Sequence, residues 1–116
     1  MTEERKQTVE KIVSWALDKK AEEVKHIDVE GKTDFTDSII ICHGTAELHN
    51  QAIADHVVQM AKQAGIQVLS VEGRDNAAWI LIDLGDIILH VFNEETRDFY
   101  KLEDLYKISP KQRTKE

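Results

Sequence analysis

Between Ala77 and Phe92 the chain reads AAWILIDLGDIILHVF, apolar at almost every position and broken only at Gly85-Asp86. A glycine-first pair between two β-branched runs is the mark of a two-residue hairpin loop. With Leu84 opposite Ile87, Trp79 falls opposite Phe92. Alternation then sorts the side chains into two faces. Ile80, Ile82, Leu84, Ile87, Leu89 and Val91 form a wholly aliphatic face, which can only be core. Trp79, Leu81, Asp83, Ile88, His90 and Phe92 form a second face that is apolar but also carries an aspartate, a histidine and an indole.

The rest of the pattern supplies the other elements. Residues 3–24 have Val9, Ile12, Val13, Ala16 and Leu17 at helical spacing, with Trp15 at the stripe's edge. In Val24–Gly31, Ile27 and Val29 alternate with His26, Asp28 and Glu30, as in a strand solvated on one side. A polar turn around Phe35 follows. Asp37–Gly44 is nearly continuous and β-branched, which predicts a strand covered on both faces. Thr45 is placed to cap a helix with Ile53, Val57, Met60, Ala61 and Ala64 inward, ended by Gly65. Ile66–Gly73 reads as a strand. Asn93 caps a last helix with Glu94 and Glu95 in its first turn. The order is α-β-β-α-β-β-β-α. The β-α-β unit from Asp37 to Val71 predicts a parallel pair. The hairpin makes the whole an α/β domain with a mixed sheet of about five strands and flanking helices. The domain is expected over 1–108, and 109–116, after Ser109-Pro110, as a loose tail.

A chain of 116 residues suits one domain, and 41% apolar with 32% charged residues suits a soluble globular protein. No apolar run reaches the roughly 18–20 residues of a membrane span, and the first residues lack an apolar leader, so a cytoplasmic location is expected. The net charge of −7 disfavours a phosphate-driven nucleic-acid binder, with no direct DNA contact expected, and favours a basic partner. The single cysteine, Cys42, reads as a buried strand thiol.

Candidate chemistry is thin. His49 and His56 lie two helical turns apart, about 10 Å along the axis, too far for one zinc ion, and no HExxH or CxxC occurs. Gly44-Thr45 after a strand could cradle an anion, but without GxGxxG or GxxxxGK[ST] a tight turn is the simpler reading. The same arrangement is found in nucleotidyltransferases, which need paired acids on a strand for magnesium; Asp83, Asp86 and Glu72 make no Asp-x-Asp. Ser38 and Ser70 carry no nucleophile signature. No metal, cofactor or catalytic residue is assigned. The mixed face therefore stands as a recognition surface or as a second covered core face.

The stretches DSIIICHGTAELHNQAIAD and VEGRDNAAWILIDLGDIILHVFNEETRDFYKLEDLY closely resemble the ribosomal silencing factor family, also called Iojap-related, from about Val9 to Tyr106. The most specific elements are Glu72-Gly73, Trp79, Asp83-x-Gly85-Asp86, His90-Val91-Phe92, Arg97, Tyr100, Leu102-Glu103 and Leu105. The resemblance implies a nucleotidyltransferase-like fold without catalytic acids. It implies binding to the fourteenth protein of the large ribosomal subunit, a block on joining of the small subunit, and a homodimer. It maps the partner surface onto Trp79, Leu81, Asp83, His90 and Phe92. The chain departs from the pattern after Gly44-Thr45. The family has a serine and then an arginine-glutamine pair, whereas Ala46-Glu47-Leu48-His49-Asn50 stands here; a tryptophan is replaced by Tyr106. The resulting expectation is a non-enzymatic translation repressor acting by occlusion. The competing one is a nucleotide-handling enzyme using the Gly44-Thr45 turn.

Overall fold

The computed structural model describes residues 2–34 and 36–100, the last three by their helical backbone alone. The turn at Phe35, the domain limit at 108 and the tail lie outside these residues.

Eight elements follow the expected order: α1 (Glu3–Asp18), β1 (Glu22–Asp28), β2 (Ser38–Gly44), α2 (Glu47–Gln63), β3 (Ser70–Glu72), β4 (Trp79–Asp83), β5 (Ile87–Asn93) and α3 (Glu94–Tyr100). They build one mixed sheet in the order β1-β2-β5-β4-β3. The hairpin has the register read from its turn, with Trp79 opposite Phe92, Leu81 opposite His90 and Asp83 opposite Ile88. The Leu84 N–H donates to the Ile87 carbonyl at 2.9 Å, and Gly85 takes φ +88°, which closes the loop at little steric cost.

The parallel pair is not the expected one. β2 pairs in parallel with β5 over its whole length, and β3 lies at the far edge beyond β4, running parallel to β2 without touching it. Both β2 and β5 are apolar on both faces, so their pairing puts the two most hydrophobic strands in the middle of the sheet. β3 is also shorter than expected. Ile66 and Val68 still pack on the core, but ladder pairing begins only at Ser70.

α1 stops at Asp18, six residues before the predicted end. The Lys20 N–H closes on Leu17, the Ala21 N–H on Ala16, and Lys20 sits at φ +61°. Glu22–Asp28 then gains a ladder with β2, which outweighs the helix propensity of Ala-Glu-Glu. Within α1 the edge and the stripe exchange roles: Trp15 is 8% exposed and Leu17 is 53% exposed. α2 starts at Glu47, with Ala46 rather than Thr45 as its cap; no side chain caps it. Ile53, Val57 and Ala61 are buried as expected, whereas Ala64 is exposed.

The aliphatic hairpin face joins Ile40 and Cys42 of β2 against Ile12, Trp15, Ile53 and Val57 of the two long helices. On the other face Ile39, Ile41, Val29 and Phe92 make a second, smaller cluster, with Ile27 and Trp79 packed on it. Ile82 is fully buried in the first cluster. Ile82→Ala should therefore cost about 2–5 kcal/mol of stability through the cavity it leaves. A chemical denaturation midpoint equal to that of the parent would show that the two faces have been inverted.

Candidate partner-binding face

The ladder registers place the mixed face in rows across the sheet. One row runs Lys25, Ile41, His90, Leu81, Glu72, and the next runs Ile27, Ile39, Ile88, Asp83, Ser70. His43, Phe92 and Trp79 make a third. The face is divided. Ile39, Ile41, Ile88, His90 and Phe92, on the central strands, are buried, whereas Trp79, Leu81 and Asp83 on β4 are half-buried and Glu72 on β3 is exposed. The expected surface is thus open over β4 and β3 and closed over β5.

Trp79, His90 and Phe92 form one aromatic group. The Trp79 and Phe92 ring centroids are 4.9 Å apart, and the His90 and Phe92 rings stack at 5.8 Å with an 8° interplanar angle. The Trp79 Nε1–H donates to His90 Nδ1 at 3.0 Å. An indole can only donate, so Nδ1 accepts and the proton of the neutral imidazole lies on Nε2. That Nε2 is buried and has no hydrogen-bond partner among the described residues. Burial pushes the imidazole from its ordinary 6.5 down to about 4.

Asp83 does not orient His90. Its Oδ1 accepts the Gly85 N–H at 2.9 Å, an Asx turn that fixes the mouth of the hairpin. The carboxylate therefore has an internal reason to sit on an apolar face.

Several residues that position this face carry no periodic signal. Asn50, fully buried on α2, donates from Nδ2 to the Ala77 carbonyl at 2.7 Å and so ties α2 to the loop before Trp79. Ala77 is held at φ +62°, and a Cβ on Gly73 would come within 2.2 Å of the Trp79 carbonyl oxygen. Only glycine permits that approach, which accounts for Glu72-Gly73 preceding Trp79. At the other end of β5, Asn93 Oδ1 accepts the Thr96 N–H at 2.8 Å and caps α3, as its sequence predicted. Arg97, buried, donates from Nη1 to His43 Nδ1 at 2.9 Å, and His43 Nε2 lies 3.2 Å from a Glu22 carboxylate oxygen. This chain fastens α3 to β2 and β1.

The segment read as a possible anion cradle has other engagements. The Thr45 N–H donates to His49 Nδ1 at 2.9 Å, and His49 Nε2 lies 2.6 Å from the Lys19 carbonyl. His56 contacts Asp18 at 3.3 Å, so both helix histidines serve the junction with the end of α1. The adjoining cleft, about 590 Å³, is lined by Thr45, Ala46, Glu47, Leu48, Asn93, Glu94 and Glu95. Three carboxylates there would repel a phosphate. Among the described residues no group of three or more His, Cys, Asp or Glu is placed to hold a metal ion, and no helix is long and apolar enough to cross a membrane.

The model of a family described as ribosomal silencing factor during starvation matches residues 2–116. The chain belongs to the ribosomal silencing factor family. A ribosomal silencing factor from Bacillus subtilis is 43% identical over 93 residues, 80% of this chain and 79% of that one. A solved structure from Bacillus halodurans superposes with a TM-score of 0.79 at 39% identity, covering 86% of this chain and 93% of that one. A more distant relative is the mouse protein named mitochondrial assembly of ribosomal large subunit protein 1. It is 28% identical over 103 residues, 86% of this chain and 45% of that one. The sequence resemblance thus holds at the level of family and fold, and the family places the chain in translation regulation.

Two outcomes follow from the geometry. The unfolded chain protonates His90 near 6.5 and the folded chain only near 4. The stability tied to the neutral imidazole is complete above pH 6.5 and is lost as pH falls toward 4, at up to about 1.4 kcal/mol per pH unit. Melting temperatures between pH 4 and 7 should fall more steeply for the parent than for His90→Gln; parallel curves would contradict the assignment. Asp83→Asn keeps an acceptor for the Gly85 N–H and should leave the melting temperature nearly unchanged. Asp83→Ala loses that acceptor and should cost about 1 kcal/mol.

Proposed function

We propose that this protein represses translation by binding the large ribosomal subunit through its fourteenth protein and excluding the small subunit by volume. The observation that carries the reading is the open half of the mixed face. Trp79 and Leu81 stay half-buried on β4 although Ile80, Ile82, Ile87, Leu89 and Val91 on the opposite face of the same hairpin are buried. A half-buried indole beside a half-buried leucine, backed by the sheet, has the composition of an interface anchor. The partner site is Trp79, Leu81, Asp83, His90 and Phe92, with the first three in contact range and the last two supporting them from β5.

Charge agrees with a basic partner. Glu72 lies beside Leu81, Glu94 and Glu95 follow β5, and the chain carries −7 overall. The large-subunit assignment is supported by the name of the mouse relative. No catalysis is required, since occlusion needs only affinity and bulk, and the action takes place in the cytoplasm on free subunits. A homodimer belongs to the same reading as a state of the free protein. The nucleotide-handling alternative has the acidic cleft at Glu47, Glu94 and Glu95 against it.

Trp79→Ala tests the reading. It should weaken binding to purified large subunits by about 2 kcal/mol or more, and subunit joining in sucrose-gradient sedimentation should recover. A folded Trp79→Ala protein that still prevents joining at the parent's concentration would remove this face from the interface. Magnesium-dependent nucleotide turnover by the parent would favour the alternative.

A further inference from the structure

His90 holds a buried N–H that nothing among the described residues uses. Its side chain is 4% exposed, its Nδ1 is taken by the Trp79 indole at 3.0 Å, and its Nε2 has no partner among the described residues. A buried donor left unmet is destabilising, and an apolar ring of similar shape would avoid the penalty. The acceptor at Nδ1 serves the Trp79 indole, so stability accounts for one nitrogen of the ring and not for the donor on the other. Its place in the sheet does suggest another role. In its row His90 has buried Ile41 on one side and half-buried Leu81 on the other, so it stands one residue in from the open half. Nε2 belongs to the ring edge farthest from the backbone, on the face of the sheet that also carries Trp79 and Leu81.

Resting on the partner face described above, we propose that His90 Nε2–H is a hydrogen-bond donor reserved for a backbone carbonyl of the partner protein, reached when docking shifts Trp79 and Leu81. A neutral oxygen is the fitting acceptor. Glu72 and Asp83 occupy the neighbouring positions of the open half, and they would repel a carboxylate or an RNA phosphate while leaving a peptide carbonyl unaffected. The bond gives the face specificity that the indole and the leucine lack. A partner surface without a carbonyl at that point leaves the N–H unmet in the complex as it was in the free protein.

Three substitutions separate the donor from the shape. Gln places an N–H near the position of imidazole Nε2, Asn reaches only the position of Nδ1, and Phe keeps the ring without either nitrogen. Binding to purified large ribosomal subunits is measured for each, alongside the melting temperature of the free protein. His90→Gln should retain affinity within a few-fold. His90→Asn and His90→Phe should lose about tenfold, the worth of one buried hydrogen bond. His90→Phe removes the unmet Nε2–H but also the acceptor of the Trp79 indole, so the two effects oppose and its melting temperature serves only to confirm that the variant is folded. Parent-like affinity in His90→Phe would overturn the proposal, as would an equal loss in His90→Gln. Equal retention of the parent protein on ribosomal RNA stripped of protein would overturn the choice of a peptide carbonyl. Trp79→Ala, run in parallel, separates the two levels. If it binds normally the face itself is misassigned, whereas if it binds weakly while His90→Phe binds normally only the role of His90 fails.

Discussion

The seven-residue parallel ladder between β2 and β5, from Ser38 opposite Ile87 to Gly44 opposite Asn93, fixes where every other element can lie. Both strands are buried along almost their whole length, so each needs cover above and below. The crossover between them passes through α2, β3 and β4, which sends α2 across one face and leaves β4 and β3 to extend the sheet beyond β5. β1 closes the opposite edge by folding back on β2. The thickness of the core, the placement of both long helices and the exposure of β4 all follow from that single pairing.

The ladder also explains why the candidate face is split. A strand in the centre of a sheet has neighbours on both sides, and its side chains are flanked by two rows. β4 has β5 on one side and only the three-residue β3 on the other, so Trp79, Leu81 and Asp83 remain partly open where Ile88, His90 and Phe92 do not. The side chains with room for a partner are therefore those of the less crowded strand, steadied by the more crowded one. Gly73, Ala77 and Asn50 serve the same end from outside the sheet, because they set the point at which the chain enters β4.

How much of this the sequence reveals depends on the range of the interaction. The hairpin register is legible because a glycine turn and strict alternation act over neighbouring residues, and the diagonal approach of Trp79 to His90 is implicit in it. The cap at Asn93 is legible for the same reason. The end of α1 is not. Lys20 rather than glycine takes the positive φ, and the residues after it leave the helix only because β2 is there to receive them. Strand order is hidden too. Three aliphatic runs could each pair with β2, and the choice of β5 over β3 is made by burial across the whole domain. That Trp79, Leu81, Asp83, His90 and Phe92 share one face is legible from the hairpin register, but the division of that face into open and closed halves is not. Asn50 looks like one more polar helix residue, and nothing local marks it as the buried tie to Ala77. The carboxylate of Asp83 invites a distant partner until the Gly85 N–H is seen beside it.

The unequal crowding of β4 and β5 has a consequence for divergence among relatives. Nearly every β5 position touches a packed neighbour on one face or the other, so a substitution there disturbs the fold whatever it does to recognition. On β4 the burden alternates: Ile80 and Ile82 belong to the core, while Trp79, Leu81 and Asp83 stand partly clear of it. Of these three, Trp79 is tied to His90 and Phe92 and Asp83 to the Gly85 N–H, so a change at position 81 disturbs the domain least. The sheet confines structural freedom to the outward side of one short strand.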